Sequence, residues 1–444
     1  MQNHPLHSRR SVLKLLGTSA AAAPFVTSNL MANPPSERLR HATFGAGGMA
    51  GSDLKQIANC KNVEIAAICD VDTSMAVAAR KQFPNARFYQ DWREMLDKEA
   101  DNIDCVNVST PDHMHAAMGV SAMQLGKHVY GQKPLAHNLH EVRKMTEIAA
   151  GKKLVTQMGI QVQSTAYYRL AVEILQRGSI GKIKEVHSWC FKTWGDPTPQ
   201  PDRTDPVPDN FNWDLWLGVR AQRPFIGDNY YHPENWRKRL DFGTGTLGDM
   251  GCHIIDPVFK SLGLGAPVSV RSEGPAPNAT NWAINGKVIY TFDGTPLTEG
   301  NIMPYTWYDG ETRPPAEIIA LIGGKGFPDQ GSLFIGTEGV MLLPHISRPA
   351  MFPAEKFKDF EFPRVTGLNH WQQFIDACRG NGKTTADFAY AGPLTEAILL
   401  GGIASRFPQT TLKWNSPELK FDLPEANRLV RQEYREGWKI AALD

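Results

Sequence analysis

The chain has 444 residues, 42% hydrophobic and 21% charged, with a formal net charge of +1. That length exceeds one compact core and predicts two domains, and the near-neutral balance argues against a nucleic-acid surface. Six scattered cysteines with no CxxC spacing read as buried free thiols, not as a disulfide framework or a zinc site, and no metal is expected.

Ser8-Arg9-Arg10-Ser11-Val12-Leu13-Lys14 is a twin-arginine pattern, followed by an Ala- and Gly-rich apolar run from Leu15 to Val26. That run is too short to span a bilayer and has the character of a signal-peptide h-region. Residues 1–32 are therefore expected to be a twin-arginine signal peptide, recognised by the Tat export machinery. The mature chain would be periplasmic or otherwise extracytoplasmic, with no membrane span.

From Arg40 short apolar runs alternate with helical stretches. Strands are predicted at Arg40–Phe44, Val63–Cys69, Asp104–Val108, His128–Tyr130 and Leu154–Met158. Between them Gly45–Gly51 reads as a turn. Helices are predicted at Ser52–Asn59, Ser74–Phe83, His113–Leu125 and Leu135–Ala150. Continuous apolar strands alternating with helices predict a doubly wound parallel sheet over residues 37–158. Residues 159–444 read as a second, α+β domain with a large, mostly antiparallel sheet. Its predicted helices are Tyr167–Leu175, Trp371–Cys378 and Leu394–Ala404. Its predicted strands are Ile183–Phe191, Val268–Ser272, Lys287–Phe292, Ile318–Ile322 and Ser332–Ile335. Long Pro-, Asp- and Trp-rich loops occupy 193–239.

The turn Gly45-Ala46-Gly47-Gly48-Met49-Ala50 follows a strand and opens a helix. Gly45 permits the tight turn, Gly47 lets the backbone approach a pyrophosphate, and the helix N-terminus favours its charge. Asp70, at the end of the next strand, is placed to accept hydrogen bonds from ribose hydroxyls and to repel a 2′-phosphate, which favours NAD over NADP. It also reads as a helix cap or loop acid. Thr110 and Pro111 follow the third core strand, with His115 just behind; they shape a cofactor loop or simply start a helix. Gln132, Lys133 and Pro134 close the next strand at the same edge of the sheet. A cis Pro134 would aim Lys133 at the cleft.

These segments, together with the run from Asp241-Phe242-Gly243 to Asp249-Met250-Gly251-Cys252-His253, closely resemble the Gfo/Idh/MocA family of glucose–fructose oxidoreductase and inositol dehydrogenase. The resemblance implies a Rossmann domain joined to an open-sheet domain that often builds homodimers or homotetramers. It also implies hydride transfer at a sugar or polyol carbon, with Lys133, Asp249 and His253 as the catalytic residues. One position departs from the family pattern: Gln132 stands where glutamate is usual, which changes the charge near the nicotinamide.

The residue types suit the chemistry. Asp249 and His253 lie four apart and share a helix face. His253 is a natural proton shuttle, Lys133 stabilises a developing alkoxide, and Asp249 orients the pair. Taken singly, Asp249 also reads as a helix N-cap and His253 as a core histidine. Trp194, Trp236, Arg237, Gln161 and Gln163 are candidate substrate contacts, since sugars stack on aromatic rings beside polar neighbours. Export of a nicotinamide enzyme implies a tightly bound NAD. That brings forward an alternative: a redox-neutral glycosidase working through a transient keto-sugar.

Overall fold

The computed structural model describes residues 38–323 and 326–444; the segment 1–32, expected to be a twin-arginine signal peptide, lies outside the described residues. Six strands form the first sheet: β1 (Leu39–Phe44), β2 (Val63–Cys69), β3 (Arg87–Tyr89), β4 (Cys105–Val108), β5 (His128–Gly131) and β6 (Thr156–Met158). Their order is β3-β2-β1-β4-β5-β6, and every neighbouring pair is parallel. Helices cover both faces, so β4 is buried along its whole length and its apolar run needs no alternation. The strand order reverses between β1 and β4. The crevice at their carboxyl ends is where this architecture takes a ligand.

The second sheet has nine strands: β7 (Ile183–Cys190), β8 (Ser269–Ser272), β9 (Lys287–Asp293), β10 (Ile302–Asp309), β11 (Gln330–Gly336), β12 (Val340–Pro344), β13 (Ala350–Phe352), β14 (Thr411–Asn415) and β15 (Lys420–Phe421). Only β7 and β10 pair in parallel; the other pairs are antiparallel. In β9 every second residue is buried, Val288, Tyr290 and Phe292, the pattern of a sheet packed on one face. That face meets the helices Gly245–Ile254, Asp256–Leu262 and Phe388–Ala404 in one continuous core.

Several local readings change. Ile318–Ile322 is not a strand: Ala316–Ala320 is a short helix behind Pro315, in an apolar run too short to show its period. The predicted helix at Ser74–Phe83 shrinks to Val77–Gln82. Asp72 accepts hydrogen bonds from the Ser74 amide and hydroxyl, an Asx turn that competes with helix. The first helix begins at Gly48, inside the glycine run. The segment after residue 159 also does not stay with the second sheet. Helix His370–Cys378 returns to the first domain, where Phe374 and Ile375 pack with Leu54, Ile57 and Tyr130. All six cysteines are free thiols, five of them buried.

Asp256 joins three helices beneath the second sheet. Its carboxyl takes hydrogen bonds from the Tyr390 hydroxyl and from Gln163 Nε2 at 3.2 Å. Full burial pushes its pKa up to about 6, against the opposing hydrogen bonds. The folded value therefore lies above the unfolded one, so its contribution to stability is complete below about pH 4 and lost as pH rises through 6. Wild-type protein should lose up to about 3 kcal/mol between pH 4 and pH 7 that Asp256→Asn does not lose. Urea unfolding of both proteins at the two pH values measures the difference; equal slopes would clear Asp256 of the effect.

Candidate active site

A cavity of about 650 Å³ runs from the glycine turn, across the carboxyl ends of β1, β2, β4 and β5, to the helix Gly245–Ile254 and the loop after β7. At its nucleotide end Gly45 holds φ +95°, and a Cβ there would lie 2.6 Å from the Ser109 carbonyl oxygen. Gly48 has φ +52° and open space where its Cβ would stand. Helix Gly48–Ala58 has no side-chain cap and no acid in its first turn, so its N-terminal amides and positive dipole end are free for an anion. Asp70 lines the same cavity. One oxygen accepts from the Ala46 amide at 2.8 Å and the other from the Asp72 amide at 2.9 Å. Each keeps a lone pair for a ribose hydroxyl. These residues fit a dinucleotide.

At the other end three predicted residues meet. The Lys133–Pro134 peptide is cis. Lys133 Nζ donates to Asp249 Oδ1 at 2.6 Å and to the Asp249 carbonyl at 2.9 Å. The other carboxylate oxygen accepts from Trp194 Nε1 at 2.8 Å. Asp249 lies in the middle of its helix, so it is no N-cap. Burial would raise its pKa, but Lys133, Arg237 and Lys192 outweigh this and hold it below the usual carboxylate range. His253, one turn on, lines the cavity, and its Nδ1 is buried with no hydrogen-bond partner in the protein. Burial, reinforced by Lys133 and His345, pushes His253 well below the ordinary imidazole value. It is a neutral ring at physiological pH, free to exchange a proton. The helix itself is tied to the β4 loop by Thr244, whose hydroxyl donates to Asp112 at 2.6 Å.

Comparison with known proteins agrees with this fold. Residues 39–160 match the Gfo/Idh/MocA oxidoreductase family's NAD-binding Rossmann fold, and residues 179–300 match its C-terminal alpha/beta domain. The chain belongs to the Gfo/Idh/MocA family. It is similar to levoglucosan dehydrogenase of Pseudarthrobacter phenanthrenivorans, 25% identical over 43% of this chain and 40% of that one. It is also similar to alpha-N-acetylgalactosaminidase of Shewanella oneidensis, 27% identical over 40% and 45%. The matched stretch thus spans less than half of either curated relative. In fold it resembles the WlbA dehydrogenase of Bordetella pertussis, solved with NADH and UDP-GlcNAcA: TM-score 0.60, 16% identity, 86% of this chain and 99% of that one.

Gln132 departs from the Gfo/Idh/MocA pattern for a visible reason. Its Nε2 donates to Asp53 Oδ2 at 2.8 Å, and its Oε1 accepts from the Lys133 amide at 3.2 Å. Asp53 is buried and also takes Ser109 Oγ at 2.8 Å and Trp371 Nε1 at 3.0 Å. A glutamate at 132 would set a second carboxylate against the buried Asp53. Among the cofactor candidates, Gly47, Met49, Thr110 and Pro111 line the cavity. His115 does not: its ring nitrogens meet the Pro134 carbonyl at 2.7 Å and the Thr110 carbonyl at 2.8 Å, so it holds the two loops together.

Among the substrate candidates, Trp194, Trp236 and Arg237 line the cavity. Gln161 and Gln163 do not. Gln161 is turned to Asp53 and Gln163 to Asp256, because buried carboxylates need donors. Sequence reasoning missed Lys192 and His345, both in the cavity wall. Lys192 stands two residues before Trp194 at the end of a predicted strand, which was a usable signal. His345 follows β12 and joins the site only through sheet packing.

Proposed function

We propose that the chain is an NAD-dependent oxidoreductase moving a hydride to or from a hydroxyl-bearing carbon of a sugar or polyol. The observation that carries this is the Lys133–Asp249 contact in the cavity that also holds the glycine turn and Asp70. NAD, when bound, supplies the hydride acceptor. The helix Gly48–Ala58 takes the pyrophosphate and Asp70 the adenosine ribose. A sugar between Trp194, Trp236 and the helix Gly245–Ile254 presents its hydroxyl to Lys133 and His253. Lys133 neutralises the developing alkoxide, the His253 imidazole takes the proton, and Asp249 fixes Lys133 in place. Because the His253 value is depressed, the acidic limb of kcat/KM should fall at a pH below 6.5 and disappear in His253→Ala. NADH formation on a panel of sugars and polyols, scanned over pH, checks both points; a limb above 6.5 would remove His253 from the proton transfer.

A second reading is favoured by the similarity to alpha-N-acetylgalactosaminidase: a glycosidase that oxidises its sugar transiently and returns the hydride. The twin-arginine pattern points the same way, since free NAD is not expected outside the cytoplasm and the cofactor would travel bound. Export by the Tat route, a periplasmic site and a homodimer or homotetramer built on the open sheet complete the proposal. Sugar release from a glycoside without added NAD would identify the glycosidase; keto-sugar accumulation would identify the oxidoreductase. Mature protein that yields no nicotinamide on denaturation would rule out a permanently bound cofactor.

A further inference from the structure

The sugar end of the cavity holds more positive charge than its own acids satisfy. Lys133, Arg237 and Lys192 reach the single carboxylate of Asp249 at 2.6, 3.5 and 3.7 Å. Only the first is a short contact. The two oxygens of Asp249 are already engaged by Lys133 and Trp194 Nε1, so Arg237 and Lys192 are left with long contacts. Besides Asp70 at the nucleotide end, two other acids line the cavity. Asp112 sits at its floor and is held by Thr244 Oγ1. Glu234 stands at the exposed rim, and only its carbonyl oxygen meets Arg237, 3.5 Å from Nη1. The phosphates of a dinucleotide belong to the opposite end, at the helix Gly48–Ala58.

Arg237 is nonetheless fixed. Its guanidinium lies 4.4 Å from the Trp236 ring centre and 5.4 Å from that of Trp194. Two indoles therefore hold a planar cation in the cavity wall. An arginine whose rotamer is set and whose fork makes only long contacts, to Asp249 and to the Glu234 carbonyl at 3.5 Å, is built to take two oxygens of one anionic group. His345 adds a neutral donor or acceptor to the same cavity wall, its ring 5.8 Å from that of His253: burial, with Lys192 and Lys133, lowers it to about 4, and its Nδ1 has no protein partner.

We propose that the substrate of this cleft is an anionic sugar, whose carboxylate or phosphate is gripped by Arg237 and Lys192 while Lys133 and His253 face the reacting hydroxyl carbon. This rests on the sugar oxidoreductase reading of the same site and narrows its substrate class. Neutral sugars leave the Arg237 fork unmatched, and an anion completes it.

The test is calorimetric titration of the NADH-loaded protein with D-glucose, D-glucuronate and D-glucose 6-phosphate, alongside NADH formation from each with NAD. One or both acidic probes should bind at least about tenfold tighter than glucose, with a preference that shrinks as salt rises. Preference for glucuronate alone assigns a carboxylate, and for the phosphate alone a phosphoryl group. Arg237→Met and, independently, the half-exposed Lys192→Met should each erode the preference, and Arg237→Lys should restore part of it. Equal binding of all three sugars, binding of none, or an undiminished preference in both Met variants overturns the proposal. Acid-selective binding without NADH formation would retain it and reject the oxidoreductase reading; turnover of neutral sugars at equal efficiency would do the reverse.

Discussion

Lys133→Met lowers turnover by about a thousandfold, with a much smaller change in NADH affinity. In the proposed reaction the side chain supplies the positive charge beside the reacting oxygen, and loss of one such preorganised donor typically costs about 100- to 1,000-fold; proton management would fall with it. Stability changes too, because Asp249 loses its 2.6 Å partner inside the protein. Breaking a buried ion pair costs about 3–5 kcal/mol. Trp194, Arg237 and Lys192 still face the carboxylate, so the loss belongs at the lower end. Steady-state kinetics with an NADH titration separate the two effects. Turnover within tenfold of wild type would show that Lys133 is a structural partner of Asp249 and nothing more.

Gly45→Ala removes cofactor binding and destabilises the fold together. The methyl group meets Ser109 O at 2.6 Å and the Ala50 Cβ at 2.8 Å. Left-handed backbone costs an alanine about 1–2 kcal/mol, and the overlap adds about 1–3 kcal/mol. Relief must come from moving the β4 loop, which carries Thr110 and Pro111. Gly48→Ala is the informative contrast. It meets no protein atom within 4 Å, so it suffers the backbone term alone, but its methyl group enters the space left for the nucleotide. Thermal melts with and without NADH should show a large loss in both conditions for Gly45→Ala. For Gly48→Ala they should show mainly a loss of the NADH-induced stabilisation.

The parts of the molecule governed by local chemistry were legible in the sequence. Continuous apolar strands and the glycine turn follow from near neighbours, and so the first sheet was found, with Asp70 lining the same cavity as that turn. The catalytic end needed the family resemblance, because Asp249 and His253 each have an ordinary explanation when read singly. What stayed hidden depends on chain segments distant in sequence. Asp53 carries no local mark in the sequence, yet Gln132, Ser109 and Trp371 enclose it. Gln161 and Gln163 sit at a plausible edge but answer to buried carboxylates. His345 reaches the cavity from β12, and no local pattern marks it. The strands β10 (Ile302–Asp309), β12 and β14 were missed because Pro304 interrupts the first and the other two are only five residues long.

Helix His370–Cys378 closes the face of the first sheet through Phe374, Ile375 and the Trp371–Asp53 hydrogen bond. During synthesis the six parallel strands leave the ribosome well before this helix does. At ~5–20 residues per second the wait is on the order of tens of seconds. Through that interval Leu54, Ile57 and Tyr130 lack their native cover, and Asp53 lacks one of its donors. The nucleotide domain of this chain is therefore a late-maturing unit, completed only once residues 370–378 have been made.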